Sequence, residues 1–211
     1  MEVYGEKPKR FTKEWWEYFW DYYKWHTIAA IVVLVVIIST VTECATRVHY
    51  DLQLDYISDQ AMSTEAQEAL AALMEENIDD VTQNGKTEAY VLYLDMGERN
   101  DPQYVQAMQT KYAIEMGNTE SFVFLISKDY ADLLTEGEIL VKAEDWCDAP
   151  SYNGYFVDLK DCTVLKDIGV NTDDLYVCII NIREKNEEKR EKRLLEQENG
   201  IKFARFLIGE R

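Results

Sequence analysis

An uncharged run of 18 residues, from Trp25 to Thr42, constrains the fold of this chain more than any other feature. A membrane-spanning helix needs about 20 mostly apolar residues, because each helical residue advances about 1.5 Å through about 30 Å of hydrocarbon. A core helix of a soluble domain normally keeps a polar stripe, and the stretch from Ile28 to Ile38 has none. The sequence therefore predicts a single transmembrane helix at residues 27–43.

The alternatives to an anchor are a buried soluble helix, a cleaved signal peptide and a lipoprotein signal. A signal peptide would need a charged region of about 25 residues rich in tryptophan, and the stretch STVTECATR offers no clean small-x-small cleavage pattern. Cys44 would suit lipidation, but Glu43 stands where a lipoprotein signal requires a small residue. The pattern favours an uncleaved signal anchor.

A cluster of aromatic residues precedes the apolar run. On a helical wheel the charged side chains from Arg10 to Lys24 fall within an arc of about 100°, and the aromatic side chains lie outside it. Such amphipathic rings favour the zone where lipid headgroups meet acyl chains. Residues 1–26 are therefore predicted to form a cytoplasmic segment with an interfacial aromatic helix. Its membrane-interface residues are Trp15, Trp16, Phe19, Trp20, Tyr23 and Trp25.

The distribution of lysine and arginine predicts the orientation of the anchor. Five of these residues precede the span, whereas only Arg47 lies in the twenty residues that follow Thr42. Cytoplasmic flanks of membrane helices carry the excess of positive residues. We therefore expect a single-pass cell-membrane protein with a cytoplasmic N-terminus and an extracellular domain at residues 44–211.

The outer part of the chain carries the whole net charge. Five of the 40 acidic and five of the 22 basic residues precede the span, so 35 acidic and 17 basic residues remain and give −18. Such a surface repels the phosphate backbone, which excludes nucleic acid as a partner. A segment of this length can bury one core, so we expect one domain. Cys147 and Cys162 are candidates for a disulfide across a loop, while Cys178 lies in an apolar run typical of a core.

Strands and helices alternate along the outer domain. The runs VHYDLQLDYIS, EAYVLYLDM, SFVFLIS and DDLYVCIINI are typical of strands, and Asn153-Gly154 indicates a turn. Helical patterns lie between them, the first with Thr64 and Gln67 as a capping box and the second with Asp101 as its N-cap. Alternation of this kind predicts an α/β domain, with a mainly parallel sheet and helices on both faces. At the C-terminus an amphipathic helix is expected to dock on the sheet through Phe203, Phe206 and Leu207.

Candidate ligand-binding residues occur in two places. The loop EDWCDAPSYNGY mixes carboxylates with aromatic faces, a combination that binds sugars or cations. The alternative for its tryptophan is a lid over the core. Asp95 follows the second strand, at the carboxyl end where open α/β sheets collect ligands. The candidates in the loop are Asp145, Trp146, Asp148, Tyr152 and Tyr155.

Motifs that would indicate an enzyme or a metal centre are missing from the sequence. It contains no phosphate loop, no cysteines paired at metal spacing, no G-x-S-x-G elbow and no H-E-x-x-H. The chain has only two histidines, His26 and His49, which are too few to build a histidine-centred metal site or a catalytic triad in the outer domain. We therefore expect a protein that is not an enzyme and has no metal or cofactor.

Residues 90–139, the run YVLYLDMGERNDPQYVQAMQTKYAIEMGNTESFVFLISKDYADLLTEGEI, resemble the first lobe of extracellular solute-binding proteins of bacterial ABC importers. In that family a strand leads to a helix ending in glycine, then to a short apolar strand, a helix and a second glycine. Gly117 and Gly137 occupy these places, and IKFARFLIGE is similar to the family's late helices. The aromatic stretch YFWDYYKWHTI resembles small single-span proteins of Gram-positive bacteria. The family's Pro-Asp pair is replaced by Glu120-Ser121, and the domain here forms one lobe where the family closes two.

The sequence therefore predicts a membrane-anchored extracytoplasmic binding or accessory protein, similar to a solute-binding lobe. The first alternative is a structural subunit whose aromatic helix packs on another membrane protein. A hydrolase using carboxylates such as Asp95 and Asp145 is the second, and it requires the two groups to lie about 5 to 9 Å apart in a cleft. The expected partners are the lipid bilayer and either another membrane protein or a small solute.

Overall fold

The structure is a computed structural model that describes residues 11–46, 49–97, 101–117, 121–134, 139–184 and 186–210. It divides into two compact units, Met1–Val48 and His49–Arg211.

The first unit contains one long helix, α1 (Lys13–Thr46). Within it, Tyr23–Thr42 is long and apolar enough to cross a membrane, with a mean hydropathy of 2.2 and none of its window buried. The hydroxyls of Thr40 and Thr42 donate hydrogen bonds to the backbone carbonyls of Val36 and Ile38. These bonds satisfy the polar side chains within the helix, as a lipid environment requires. A candidate membrane span therefore lies where the sequence predicts one.

The second unit is an α/β domain, which confirms this part of the predicted fold class. In the first half of the domain, helices alternate with strands. In chain order the elements are β1 (Leu52–Ser58), α2 (Thr64–Asn77), β2 (Ala89–Asp95), α3 (Pro102–Gly117), β3 (Val123–Ser127), α4 (Lys128–Ala131), β4 (Ser151–Tyr152), β5 (Phe156–Asp158), α5 (Thr163–Asp167), β6 (Leu175–Ile179) and α6 (Glu187–Leu207).

All six strands form one sheet in the order β2-β1-β3-β6-β5-β4. β1 is parallel to β2 and to β3, whereas the pairings β3-β6, β6-β5 and β5-β4 are antiparallel. The prediction of a mainly parallel sheet is therefore not confirmed, and the sheet is mixed. Parallel neighbours need a crossover of a dozen or more residues, usually a helix. β4 and β5 are instead joined by the tight turn at Asn153 and Gly154, whose φ angles are 53° and 81°.

Hydrophobic clusters cover both faces of the sheet. On one face, Leu70 and Met74 of α2 and Phe203 of α6 pack with strand residues such as Leu54 and Val177. On the other, Ala131 of α4 packs with Ile57, Phe124 and Cys178, and Tyr112 of α3 lies against this cluster. Helices therefore lie on both faces. Phe203 and Leu207 are fully buried and Phe206 is half-buried, which agrees with the predicted docking of the C-terminal helix.

Local details correct some sequence predictions. The cap of α2 is Ser63, whose hydroxyl accepts a hydrogen bond from the backbone N–H of Ala66, so Thr64 is the first helical residue. Gln67 does not complete a capping box, because its side-chain amide donates to the carbonyl of Val91. Asp101 does cap α3, since its carboxylate accepts from the N–H of Gln103.

The three cysteines of the second unit, Cys147, Cys162 and Cys178, are buried free thiols. The disulfide considered between the first two is therefore not formed. Burial raises the pKa of both thiols, which keeps them protonated and unreactive.

Candidate ligand-binding site

The three parallel strands end in polar residues at one edge of the sheet. Ser58 of β1 is paired in register with Asp95 of β2. On the other side of β1, Ile57 is paired with Ile126 of β3, so the next residues of the two strands, Ser58 and Ser127, lie next to each other. All three polar residues are buried, with Asp95 only 7% and Ser127 only 5% exposed. The residues form a row at the carboxyl ends of adjacent parallel strands, which we name the carboxyl edge.

The carboxyl edge lies at a topological switch point of the sheet. The connection from β1 to β2 passes through α2 on one face, and that from β2 back to β3 passes through α3 on the other. The two connections thus run in opposite directions on opposite faces of the sheet, and the strand order reverses between β1 and β3. In open α/β sheets, ligands bind in the crevice outside the carboxyl ends of strands at such a switch point.

Asp95 is held in a defined orientation. One carboxylate oxygen accepts a hydrogen bond from the N–H of Gly97 at 3.1 Å, and the other accepts from the hydroxyl of Tyr104 at 3.2 Å. A Cβ atom at Gly97 would lie 2.8 Å from the carbonyl oxygen of Asp59. Only glycine therefore allows the turn after β2 to pack this closely against the loop after β1.

The loop after β1 is tied to the carboxyl edge by Gln60. Its backbone N–H donates to the hydroxyl oxygen of Ser58 at 3.0 Å. Its side-chain amide reaches the carbonyl of Asp173 at 3.4 Å, in the loop that leads into β6. The neighbouring carbonyl of Asp174 accepts from the N–H of Lys128, directly after Ser127. The Gln60 side chain therefore extends from the end of β1 past the end of β3.

Two polar atoms at the carboxyl edge have no hydrogen-bond partner among the described residues. They are the hydroxyl oxygen of Ser127 and the side-chain carbonyl oxygen of Gln60, and both atoms are buried. Leaving a buried polar atom unpaired costs about 1 to 3 kcal/mol. Such atoms in a native fold indicate a strained site or a site completed by a ligand or by water.

Tyrosine hydroxyls form hydrogen bonds with the backbone of the surrounding loops. The hydroxyl of Tyr93 donates to the carbonyl of Gln60 at 3.0 Å and accepts from the N–H of Met62 at 3.3 Å. Burial raises the pKa of Tyr93 to about 12, so this hydroxyl keeps its proton and its donor role. The hydroxyl of Tyr130 donates to the carbonyl of Met96 at 3.0 Å. The loops after β1 and β2 are thus fixed around the edge.

The loop proposed from the sequence does not assemble into one site. Trp146 is 1% exposed and belongs to the cluster under α2 and α6, where its carbonyl accepts from Arg205, so it packs as a lid over the core. Tyr152 and Tyr155 pack against the cluster on the opposite face. The carboxylates of Asp145 and Asp148 are exposed to solvent.

The carboxylate pair needed for a hydrolase is not formed by Asp95 and Asp145. Asp95 ends β2 at one border of the sheet, whereas Asp145 lies in a short turn whose first residue, Ala143, bonds to Gly154 in the β4–β5 hairpin near the other border. Four strand spacings of about 4.8 Å separate β2 from β5, or about 19 Å. This distance exceeds the range that a glycosidase-type pair requires. Among the described residues, no group of three or more histidine, cysteine, aspartate or glutamate side chains could hold a metal ion.

The sequence prediction did not include Ser58 and Ser127 of the carboxyl edge, or Gln60 in the loop beside it. A signal for two of them was present, because the apolar strands β1 and β3 both end in serine just as β2 ends in aspartate. No family model matches this chain, and no curated protein or solved structure matches it either.

Proposed function

We propose that the protein is a membrane-anchored binding protein whose extracytoplasmic domain takes a small polar solute at the carboxyl edge. The observation that carries this proposal is that the side-chain oxygens of Ser127 and Gln60 are buried without a hydrogen-bond partner among the described residues, at an edge that also carries the oriented carboxylate of Asp95. A solute with hydrogen-bond donors would donate to these oxygens and offset the cost of burying them.

The anchor in this proposal is α1. Trp15, Phe19 and Tyr23 stack one turn apart with ring centroids 5.4 and 5.5 Å from each other, which gives the helix a continuous aromatic stripe. Trp16, Trp20 and Trp25 are more than half exposed and present indole rings to the surroundings. Exposed tryptophan at the start of an apolar span suits the headgroup zone of a bilayer. The excess of lysine and arginine before the span supports a cytoplasmic N-terminus and an outer domain.

The likeness to a solute-binding lobe is part of the same proposal. The succession β2, α3, β3 and α4 follows the order that the resemblance implies, and Gly117 ends α3. Gly137 lies outside the described residues. The outer domain has one lobe, so its ligand would bind at an open edge rather than in a cleft that closes between two lobes.

A binding screen on the full chain in detergent micelles tests the proposal. We expect a sugar, amino acid, amine, peptide or divalent cation to raise the melting temperature of the outer domain, since a hundredfold excess over Kd stabilises by about 2.7 kcal/mol. For a domain of this size the shift is several degrees. Ser127→Ala should reduce this stabilisation to about 1.4 to 2.1 kcal/mol, because the loss of one hydrogen bond weakens binding about 3- to 10-fold. Ser151→Ala, at an exposed serine of β4, should keep the full shift. A hit whose shift Ser127→Ala leaves unchanged, or a panel with no hit, contradicts a ligand site at the carboxyl edge.

The second candidate function is a structural subunit of a membrane complex, and the exposed aromatic face of α1 favours it. In that case residues 1–48 alone should capture a partner from solubilised membranes. A variant carrying Trp16→Ala and Trp20→Ala, which removes two exposed indoles but not the stacked stripe, should lose that partner. Capture that requires the outer domain would contradict this alternative.

A further inference from the structure

We propose that α3 is a pH-sensitive cover on the sheet, which stays docked while the buried carboxyl group of Asp55 is protonated and is released more often once that group is ionised. This device acts whether or not a solute binds at the carboxyl edge. Three features of the molecule support it: the face on which Asp55 lies, the atom of Asp55 that lacks a partner, and the shallow burial of α3.

Asp55 lies on the face of the sheet that α3 covers. Its register partners, Leu92 in β2 and Phe124 in β3, both belong to the hydrophobic cluster against which α3 packs. Side chains of paired residues in neighbouring strands point to the same face, so the Asp55 side chain points to this cluster as well. Asp55 is fully buried. A carboxyl group is therefore enclosed between apolar strands and the helix.

The surroundings of Asp55 suit its neutral form. One of its oxygens accepts hydrogen bonds from the Ser121 hydroxyl and the Gln53 amide, and the other has no partner in the described part of the chain. An ionised carboxylate that is buried and only partly hydrogen-bonded is costly, because it has lost its hydration. Burial accordingly raises the pKa of Asp55 to about 6.

The charged groups that face Asp55 do not compensate for its ionisation. Both belong to α3, where Glu115 raises the pKa of Asp55 and Lys111 lowers it by a smaller amount. Tyr90 of β2 and Tyr112 of α3 are the titratable side chains that these elements add on this face, and β3 adds none. Burial raises the pKa of Tyr112 to about 12, so its hydroxyl keeps its proton. Ionised Asp55 therefore has no adequate counter-charge among the described residues.

The helix that covers Asp55 is only shallowly buried. None of the α3 side chains whose exposure is described is fully buried, whereas α2 fully buries three of its side chains. Tyr112 is half-buried against the cluster, and Ile114 remains 53% exposed. Elements with few buried apolar contacts open at the lowest cost in free energy. Water would therefore reach ionised Asp55 through release of α3 before the rest of the domain unfolds.

The sign of the pH effect follows from the two protonation equilibria. The pKa of Asp55 is about 6 under α3 and returns towards 3.8 when the carboxyl group is hydrated. Its contribution to the docking of α3 is therefore complete below about pH 4 and is lost as the pH rises through 6. With these values the equilibrium constant for release rises about tenfold between pH 5 and pH 7.5. Release would also remove the hydrogen bond from Tyr104 of α3 to Asp95.

Three buried thiols allow the release of α3 to be measured. Cys178 belongs to the cluster under α3, whereas Cys147 and Cys162 belong to the cluster on the opposite face. Release of α3 would expose Cys178 alone, while unfolding of the whole domain would expose all three. The full chain in nanodiscs is treated with methyl methanethiosulfonate, and peptide mass spectrometry gives the rate at each cysteine.

The comparison is made between the wild type and Asp55→Asn, which keeps the shape of the side chain and cannot ionise. The ratio of their Cys178 rates should rise about tenfold from pH 5 to pH 7.5, since a comparison at one pH cancels the change in thiolate fraction. At pH 7.5 the wild type should react at Cys178 at least tenfold faster than at Cys162. Asp145→Asn, at an exposed carboxylate, is the matched control and should behave as the wild type does.

A second variant tests the device without replacing Asp55. Ser121→Ala removes a hydrogen bond that favours the ionised carboxylate, so it should speed the labelling of Cys178 about 3- to 10-fold at pH 7.5 and less at pH 5. Labelling of Cys178 no faster than that of Cys162 would overturn α3 as a separate cover. The same pH dependence in the wild type and in Asp55→Asn, or an equal effect of Ser121→Ala at both pH values, would overturn the control by Asp55.

Discussion

The hydroxyl of Ser121 donates a hydrogen bond of 2.5 Å to one carboxyl oxygen of Asp55, which is fully buried in the central strand β1. The side-chain amide of Gln53 donates to the same oxygen at 3.3 Å. The other oxygen has no partner in the part of the chain that the structure describes. Burial, only partly opposed by these bonds, raises the pKa of Asp55 from 3.8 to about 6. The neutral carboxylic acid is therefore the form that suits the fold.

The first prediction concerns the pH dependence that Asp55 imposes. Since its folded pKa lies above the unfolded value, its contribution to stability is complete below about pH 4 and is lost as the pH rises through 6. A shift of about two units corresponds to about 3 kcal/mol. Asn stays neutral at both pH values. The free energy of unfolding of Asp55→Asn should therefore rise relative to that of the wild type by about 3 kcal/mol between pH 4 and pH 8. Urea unfolding at both pH values measures the difference, and an equal pH dependence in the two proteins would contradict the raised pKa.

The second prediction concerns the close approach at Gly97. Its substitution by alanine places a Cβ atom 2.8 Å from the carbonyl oxygen of Asp59, so the backbone must move. We expect Gly97→Ala to destabilise the domain by about 1 to 3 kcal/mol. Gly117→Ala is the matched control, because a Cβ there meets nothing within 4 Å and should be neutral or slightly stabilising. Similar stabilities of the two variants in urea would show that the packing between the loops after β1 and β2 is not tight.

How much of this edge the sequence could predict depends on the range of the contacts involved. Asp95 could be placed at the end of a strand, because alternating strands and helices imply parallel neighbours with their carboxyl ends together. The hydrogen bond between Gln60 and Asp173 could not be predicted, since a contact between residues 113 positions apart depends on how β6 enters the sheet. The antiparallel direction of β6 was likewise missed, because α5 with its five residues is no crossover helix and the pattern after Glu138 gives no clear period.

The same distinction explains the fate of the other candidates. The apolar run is a local feature, so a helix that could span a membrane was predicted where the structure has one. The loop around Trp146 has a suggestive composition, but the faces on which its side chains pack depend on the sheet. Trp146 turns towards α6 while Tyr152 and Tyr155 turn to the opposite face, which separates residues that are neighbours in sequence.

The third prediction concerns the side of the membrane on which the domain lies. Lys160 is exposed, so Lys160→Cys presents a thiol on the surface, whereas Cys147, Cys162 and Cys178 are buried. A membrane-impermeant maleimide should label this variant on intact cells, because the positive residues before the span favour a cytoplasmic N-terminus. The parent protein without the new cysteine gives the background. Labelling that appears only after lysis would place the domain in the cytoplasm.

The fourth prediction concerns the stability of the ligand-free domain. Ser127→Ala removes a buried hydroxyl that has no partner among the described residues, so it should raise the free energy of unfolding by about 1 to 2 kcal/mol. The control Ser151→Ala, at an exposed position, should change it by less than about 0.5 kcal/mol. Calorimetric melting without added solute distinguishes them. A loss of stability in Ser127→Ala would show that the hydroxyl has a structural partner and is not reserved for a ligand.

A crystal structure of the protein soaked with the solute that raises its melting temperature tests the ligand site most directly. We predict electron density for the solute at the carboxyl ends of β1, β2 and β3, with its donors within about 3.2 Å of the Ser127 hydroxyl and the Gln60 carbonyl oxygen. The Gln60 amide should have left Asp173. Density for the solute elsewhere, for instance beside Asp145 and Asp148, with Ser127 bonded to Gln60 at an empty edge, would contradict the site.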